Sequence, residues 1–278
     1  MLHPGAGSSR RGPLTSRPLA AAAAAVAEDP RAPAVEFSDP AAVLARLMDL
    51  HGSISLAREL SLLERPPAPS APAATEGARA AVRALAADRL GELTAALDQL
   101  FSAPFQRRNK LPDAPAVLAT LEQTGALLPS RGRGALAAAA GQLWEPFGEL
   151  ATRTLGRVRQ ETHALREELA PSLRALGPAA ARLERLDAAI ASATQKRRER
   201  ALGELVPGLS RGFARGFRAA VLALPDAVEV EHVAGWFGRD QWLGREVQRM
   251  ELVVQAVLAH EAGRLLALVD GAAAGAPA

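Results

Sequence analysis

Two short motifs in the sequence contain the residue types that hydrolytic enzymes use. The segment 208–212, GLSRG, matches the G-x-S-x-G pattern of a serine nucleophile. In hydrolases with this pattern, a strand enters a sharp turn that exposes the serine hydroxyl above a parallel sheet. The residues around Ser210 have a helical pattern instead, and His232, His260, Asp226 and Asp240 complete a triad only nominally. The motif therefore does not predict a serine hydrolase.

The second motif resembles a zinc-protease helix but lacks one ligand. His260-Glu261 matches the first half of H-E-x-x-H, whereas the position of the second histidine holds Arg264. The remaining histidines are far apart and show no ligand spacing, and the sequence holds no Cys, no P-loop and no G-x-G-x-x-G. We therefore predict a protein that is not an enzyme and needs no cofactor or metal; an enzyme assembled from distant helices stays a minor alternative.

Basic side chains are concentrated in the segment 196–218. It contains seven basic and two acidic residues, a net charge of +5, while the whole chain has a net charge of +3. The basic residues are Lys196, Arg197, Arg198, Arg200, Arg211, Arg215 and Arg218. The last three share one helical face because they are spaced i, i+4, i+7. Such a face could contact nucleic acid, an acidic protein or anionic lipid; the alternative is a solvated surface beside an acidic helix.

Aromatic residues are few and cluster near a break between two helices. Trp236, Phe237 and Trp242 lie close together in the sequence, and the chain has no Tyr. We consider two interpretations, a plug that closes one end of a helical bundle and a hot spot that binds a partner. The lack of Tyr argues against a stacking surface for nucleic-acid bases.

Composition and periodicity predict an all-α protein. Ala and Leu are the most abundant residues and favour helices, whereas the β-branched and aromatic residues typical of strands are scarce. Apolar residues are spaced alternately by three and four positions, the spacing of helices that pack side by side. The first such seam comprises Ala86, Leu90, Leu93, Leu97 and Leu100. We expect an elongated helical bundle built of antiparallel coiled-coil hairpins, with long helices kinked at Pro146 and Pro171.

Proline-rich and Gly-rich stretches divide the chain. We predict a disordered tail over 1–13, a small helical domain over 14–64, a Pro-rich linker over 65–76, a long-helix bundle over 77–270 and a disordered tail over 271–278. Within the bundle we expect a helix from Ala114 to Leu128. Another should turn Leu183, Leu186 and Ile190 inward, and the last should run from Asp240 to Asp270. Residues 228–233 are the longest strand-like stretch.

The N-terminus offers two interpretations of cellular location. Ser9-Arg10-Arg11, followed by an Ala-rich run ending Ala25-Val26-Ala27, imitates a twin-arginine export signal. The alternative, which we favour, is a basic tail followed by an Ala-rich helix in a cytoplasmic protein. No run of apolar residues approaches the ~18 to 20 that a membrane-spanning helix needs, so we predict no transmembrane segment.

Three segments resemble one known family. They are AVLARLMDLHGSISLARELS at 42–61, PFGELATRTLGRVRQETHALREELAPSLRALGPAAARLERLDAAI at 146–190 and KRRERALGELVPGLSRGF at 196–213. Their order and pattern resemble the proteobacterial domain-of-unknown-function family 3348 over most of residues 14–270. The resemblance implies an accessory protein of the third type of Zorya anti-phage defence system, whose relatives are encoded with proton-channel-like and peptidoglycan-binding membrane proteins. That family offers no catalytic residue to carry over.

These observations favour a non-enzymatic helical interaction or scaffold protein. Its expected partner is itself or a co-encoded helical protein, with an indirect link to a motor-like membrane complex. The alternative is a nucleic-acid-binding module that uses the basic segment 196–218.

Overall fold

The computed structural model describes residues 75–106, 109–130 and 132–274, together with Leu56, Ala57 and Ser61. These residues include no strand, which confirms the predicted all-α class. From Thr75 onward the described helices are α1 (Glu76–Ser102), α2 (Ala114–Gln123), α3 (Arg133–Ala175), α4 (Pro178–Gly203), α5 (Leu205–Leu222), α6 (Val230–Ala234) and α7 (Trp242–Ala274), with a 3-10 turn at Gly235–Phe237.

Much of the predicted N-terminal organisation lies outside the described residues. This holds for the tail 1–13, for the domain 14–64 apart from Leu56, Ala57 and Ser61, for the linker up to residue 74, and for residues 275–278. At the other end, α7 extends four residues past the predicted boundary at Asp270. The helix continues because Ala272 and Ala273 are buried against the rest of the bundle.

The two longest helices, α3 and α7, form the centre of the bundle. They pack against each other, and α1 packs against both of them, as do α4 and α5. α3 and α4 run in opposite directions, since Arg174 and Glu184 pair near their turn and Arg166 and Asp187 pair further from it. The result is a helical bundle in which α1 and α4–α5 flank a central helix pair.

The predicted seam of α1 is buried, with one change at its end. Ala86, Leu90, Leu93 and Leu97 are all buried, which confirms the three-four spacing. Phe101 rather than Leu100 is the last buried residue of the helix, while Leu100 is partly exposed. The N-terminus of α1 is capped by Thr75, whose hydroxyl accepts a hydrogen bond from the backbone N–H of Ala78.

α3 is continuous over 43 residues although it contains two prolines. Pro146 and Pro171 have no N–H to donate to the carbonyl four residues earlier, so each removes one helical hydrogen bond. The chain then reverses at Gly177, whose φ of +127° suits glycine, and Pro178 is the first residue of α4.

The predicted end of one helix, α2, is wrong. α2 ends at Gln123 rather than Leu128 because Gly125 adopts φ +69° and closes a Schellman motif. In this motif the N–H of Ala126 donates to the carbonyl of Leu121. Residues 230–233 of the strand-like stretch belong to α6, which begins with a capping box between Glu229 and His232 and buries Val233.

A window of 18 residues within Val230–Ala274 is long and apolar enough to cross a membrane by length and composition alone, a test that the core helix of a soluble protein also passes. The absence of a transmembrane segment therefore stays a prediction. In the bundle, the apolar residues of α7 pack against α1, α3, α4 and α5.

Candidate interaction surfaces

The predicted basic residues are divided between two helices. Lys196, Arg197, Arg198 and Arg200 lie near the end of α4, and Arg211, Arg215 and Arg218 lie on α5. The guanidinium of Arg198 contacts the carboxylate of Glu261 on α7, and this side chain is partly buried. The side chain of Arg198 therefore joins α4 to α7, and its contact with an anionic partner stays a prediction.

The three α5 arginines do share one exposed face. Arg211, Arg215 and Arg218 are exposed, and Arg245 is exposed on the neighbouring helix α7. α5 and α7 are in close contact, because a methyl group added at Gly212 of α5 would lie 2.7 Å from Nη1 of Arg249 on α7. The basic face of α5 therefore lies beside the first half of α7.

The glycines of the G-x-S-x-G motif serve helix packing. Gly208 and Gly212 are buried in α5, and the same spacing continues to Gly216. A methyl group at Gly216 would lie 2.4 Å from Nε1 of Trp242. Because Ser210 sits within this helix, it does not occupy the strained strand-to-helix turn that exposes a nucleophile. The motif marks the contact between α5 and α7.

The tryptophans lie inside the bundle. Trp236 and Trp242 are each 8% exposed, and their rings meet edge to face with centroids 5.1 Å apart. Trp242 also packs on Phe213 at 5.1 Å, while partly buried Phe237 packs on Phe105 at 4.8 Å. The two indoles therefore belong to the core, and a partner-binding hot spot at Trp236, Phe237 and Trp242 stays a prediction.

One face of α7 keeps the seam spacing but is not covered by another described helix. Leu252 and Leu266 are 58% and 38% exposed, and Ala259 between them is exposed as well. A methyl group at Gly263 would meet no atom within 4 Å. We call this face the α7 stripe; its members are spaced by four, three, four and three positions and are Leu252, Ala256, Ala259, Gly263 and Leu266.

An apolar groove between α4 and α7 adjoins this stripe. Leu183, Leu186 and Ile190 line it from α4, and Ala267 and Leu268 line it from α7. Its volume is about 460 Å³. The prediction that the three α4 residues point inward is only partly met, since all three stay partly exposed. The positions that α4 buries are Ala180, Glu184 and Thr194.

A larger, charged groove of about 830 Å³ separates α3 from α4 and has residues of α7 as its floor. Arg166 of α3 and Arg264 of α7 both contact Asp187 of α4. Burial lowers the pKa of Arg264, and the nearby charge of Arg198 lowers it further, while Asp187 and Glu261 oppose these effects. The floor is thus a network of ion pairs between three helices.

At the end of this groove nearest the turn between α3 and α4, exposed Arg174 pairs with buried Glu184. Arg174 donates two hydrogen bonds to the carboxylate of Glu184, and this hydrogen bonding, followed by the negative charge of Glu184, raises the pKa of Arg174. The part of the chain that the structure describes holds no cluster of three His, Cys, Asp or Glu side chains that could bind a metal. His260 lines the apolar groove.

The charged groove was not found from the sequence. Its members Arg166, Asp187, Glu261 and Arg264 come from three helices and show no local pattern. The one usable signal is that Asp187 and Arg264 each fall beside the apolar positions of their helix, where a charged side chain must find a partner.

No protein-family model, curated protein or solved structure matches the chain.

Proposed function

We propose that this protein is a non-enzymatic, cytoplasmic helical scaffold that binds another helix along the α7 stripe. The observation that carries the proposal is an exposed seam: Leu252 and Leu266 have the spacing that buried seams of the same bundle use, yet they face solvent. Fourteen residues separate them, a helical length of about 21 Å. A partner helix with a matching apolar stripe would bury both leucines.

Small residues in the middle of the stripe support close helix packing. Ala256, Ala259 and Gly263 leave room between the two leucines, so the backbone of a second helix could approach closely. The adjoining groove formed by Leu183, Leu186 and Ile190 extends the apolar surface onto α4. Exposed apolar surface that continues across two helices is typical of protein interaction sites.

The cellular setting that we propose rests on the family resemblance. The resembling segments imply an accessory component of an anti-phage defence system that acts with a motor-like membrane complex. The partner helix then belongs to a second copy of this chain or to a co-encoded helical protein. N-terminal sequencing of the native protein tests the cytoplasmic location, since export through the twin-arginine-like segment would produce a chain beginning at Glu28.

Two glutamates introduced into the α7 stripe test the scaffold proposal. The full chain, alone and co-expressed with the products of neighbouring genes, is analysed by size-exclusion chromatography with light scattering. We expect a complex that the double variant Leu252→Glu, Leu266→Glu abolishes, because the glutamates would place charges in a dry interface.

Leu128→Glu is the matched control for the double variant. Leu128 is 57% exposed, almost the same as Leu252, but lies between α2 and α3, away from the stripe. We expect Leu128→Glu to leave the complex intact and all variants to keep their helical circular dichroism. A lone monomer under every condition, or a complex that survives both glutamates, would refute the proposal.

A second candidate function is nucleic-acid binding through α5. The exposed arginines Arg211, Arg215 and Arg218 favour it, with Arg245 on the adjacent helix. If each of the three arginines contacts one phosphate, a plot of the logarithm of the DNA affinity against the logarithm of the salt concentration should have a slope of about −2.7. Replacing all three arginines by Gln should abolish this slope. The control Arg153→Gln, at an exposed position of α3, should leave it unchanged. DNA binding that is absent at low salt would rule out this candidate.

A further inference from the structure

Three arginines from three helices meet on the floor of the charged groove. Asp187 contacts both Arg166 and Arg264, and Glu261 contacts Arg198. The five side chains are between 12% and 32% exposed, so all of them are largely removed from solvent. This cluster carries three positive charges and two negative charges, which leaves an excess of one positive charge in a partly desolvated place.

The cluster also has more hydrogen-bond donors than its own acceptors can take up. A guanidinium has five N–H donors and no acceptor, whereas a carboxylate offers about four acceptor positions. Three arginines therefore bring about fifteen donors to about eight carboxylate acceptor positions. The N–H donors that find no acceptor within the cluster can bind the oxygens of a further carboxylate or phosphate group, which guanidinium groups contact in a bidentate manner.

The lowered pKa of Arg264 reflects burial and also the excess of positive charge in the cluster. Its charged form is disfavoured first by burial and then by the positive charge of Arg198, and the two carboxylates do not cancel these effects. A bound anion would offset both. The groove has space for one, since its volume is about 830 Å³. Its walls carry both signs of charge, so the excess of positive charge is confined to the floor; the charged wall residues are Arg159, Arg174, Glu167, Glu184 and Glu199.

We propose that the floor of this groove binds an oxyanion, a phosphate or carboxylate group, through Arg166, Arg198 and Arg264. The groove extends beyond the three guanidinium groups along α3 and α4, so the anion would be one end of a larger molecule. Asp187 and Arg264 of this site also line the apolar groove. The leucines of the α7 stripe, Leu252 and Leu266, line neither groove.

Titration calorimetry of the full chain tests this proposal with two probes, inorganic phosphate and acetate, each at constant ionic strength set with chloride. We expect saturable binding of at least one probe, and the preferred probe identifies the chemical source of the oxyanion. Arg264→Gln should weaken this binding about tenfold or more, because it removes a charge-assisted contact. Arg166→Gln provides a second test should Arg264→Gln fail to fold.

Asp187→Asn distinguishes a ligand site from a purely structural ion network. Removing this carboxylate raises the excess of positive charge to two, so the anion should bind several-fold more tightly even if the bundle becomes less stable. Arg89→Gln is the control, because Arg89 also pairs between helices, with Glu168, but lies outside the groove. The proposal is overturned if neither probe gives heat beyond that of chloride. Binding that is unchanged in Arg264→Gln and Arg166→Gln, or not tightened in Asp187→Asn, also overturns it.

Discussion

Replacing Gly244 by alanine tests how closely the start of α7 packs on the preceding turn. Gly244 is buried, and a methyl group there would lie 2.1 Å from the carbonyl oxygen of Gly238. It would also lie 2.8 Å from the carbonyl oxygen of Arg239 and 2.9 Å from its Cα. All three atoms belong to the backbone, so no side-chain rotation relieves the overlap.

The expected loss of stability follows from two opposing contributions. Overpacking of a rigid site costs about 3 kcal/mol, whereas exchanging Gly for Ala inside a helix gains about 1 kcal/mol. Gly244→Ala should therefore lower the free energy of unfolding by about 2 kcal/mol. For a chain of this size the midpoint of thermal unfolding should fall by about 4 to 8 °C.

Urea unfolding followed by circular dichroism at 222 nm measures this difference. The control is Gly91→Ala, at an exposed position inside α1 where a methyl group meets no atom within 4 Å. This control should gain about 0.5 to 1 kcal/mol, since only the helix propensity changes. If Gly244→Ala were as stable as the wild type, or more stable, the close contact between α7 and the turn 238–241 would be disproved.

Three further substitutions test other contacts by urea unfolding. Phe213→Ala should cost about 3 to 5 kcal/mol, because its ring is fully buried between Trp144, Phe147 and Trp242; a cost below about 1 kcal/mol would contradict the aromatic core. Glu261→Gln should cost about 1 to 3 kcal/mol by leaving Arg198 without its charged partner, and an unchanged stability would show that the pair does not join α4 to α7. Pro171→Ala should stabilise the protein by about 1 to 3 kcal/mol, since it restores a hydrogen bond within α3; a loss of stability would show that the packing of α3 requires the proline.

Local patterns in the sequence predicted most of the helical structure. The three-four spacing of Ala86, Leu90, Leu93 and Leu97 predicted a seam that the fold buries, because side chains at this spacing share one face of a helix. The predicted ends of helices were less accurate than the predicted buried faces where the conformation of a single residue decides the end. The left-handed conformation of Gly125 ends α2, and glycine at that position did not by itself distinguish a helix end from a tolerated interior glycine.

The tertiary environment of α4 was not predictable from its own pattern. Its apolar positions predicted burial of Leu183, Leu186 and Ile190, yet the helix turns Glu184 and Asp187 toward α3 and α7, where arginines pair with them. Those arginines are distant in sequence, so no local rule selects this rotation. The charged groove likewise depends on which helices are neighbours.

Native mass spectrometry of the full chain, co-expressed with the products of its neighbouring genes, tests the scaffold proposal most directly. The proposal predicts a complex, with a second copy of the chain or with a co-encoded helical protein, that dissociates when Leu252 and Leu266 are replaced by Glu and persists in Leu128→Glu. A chain that is monomeric in every preparation would contradict it.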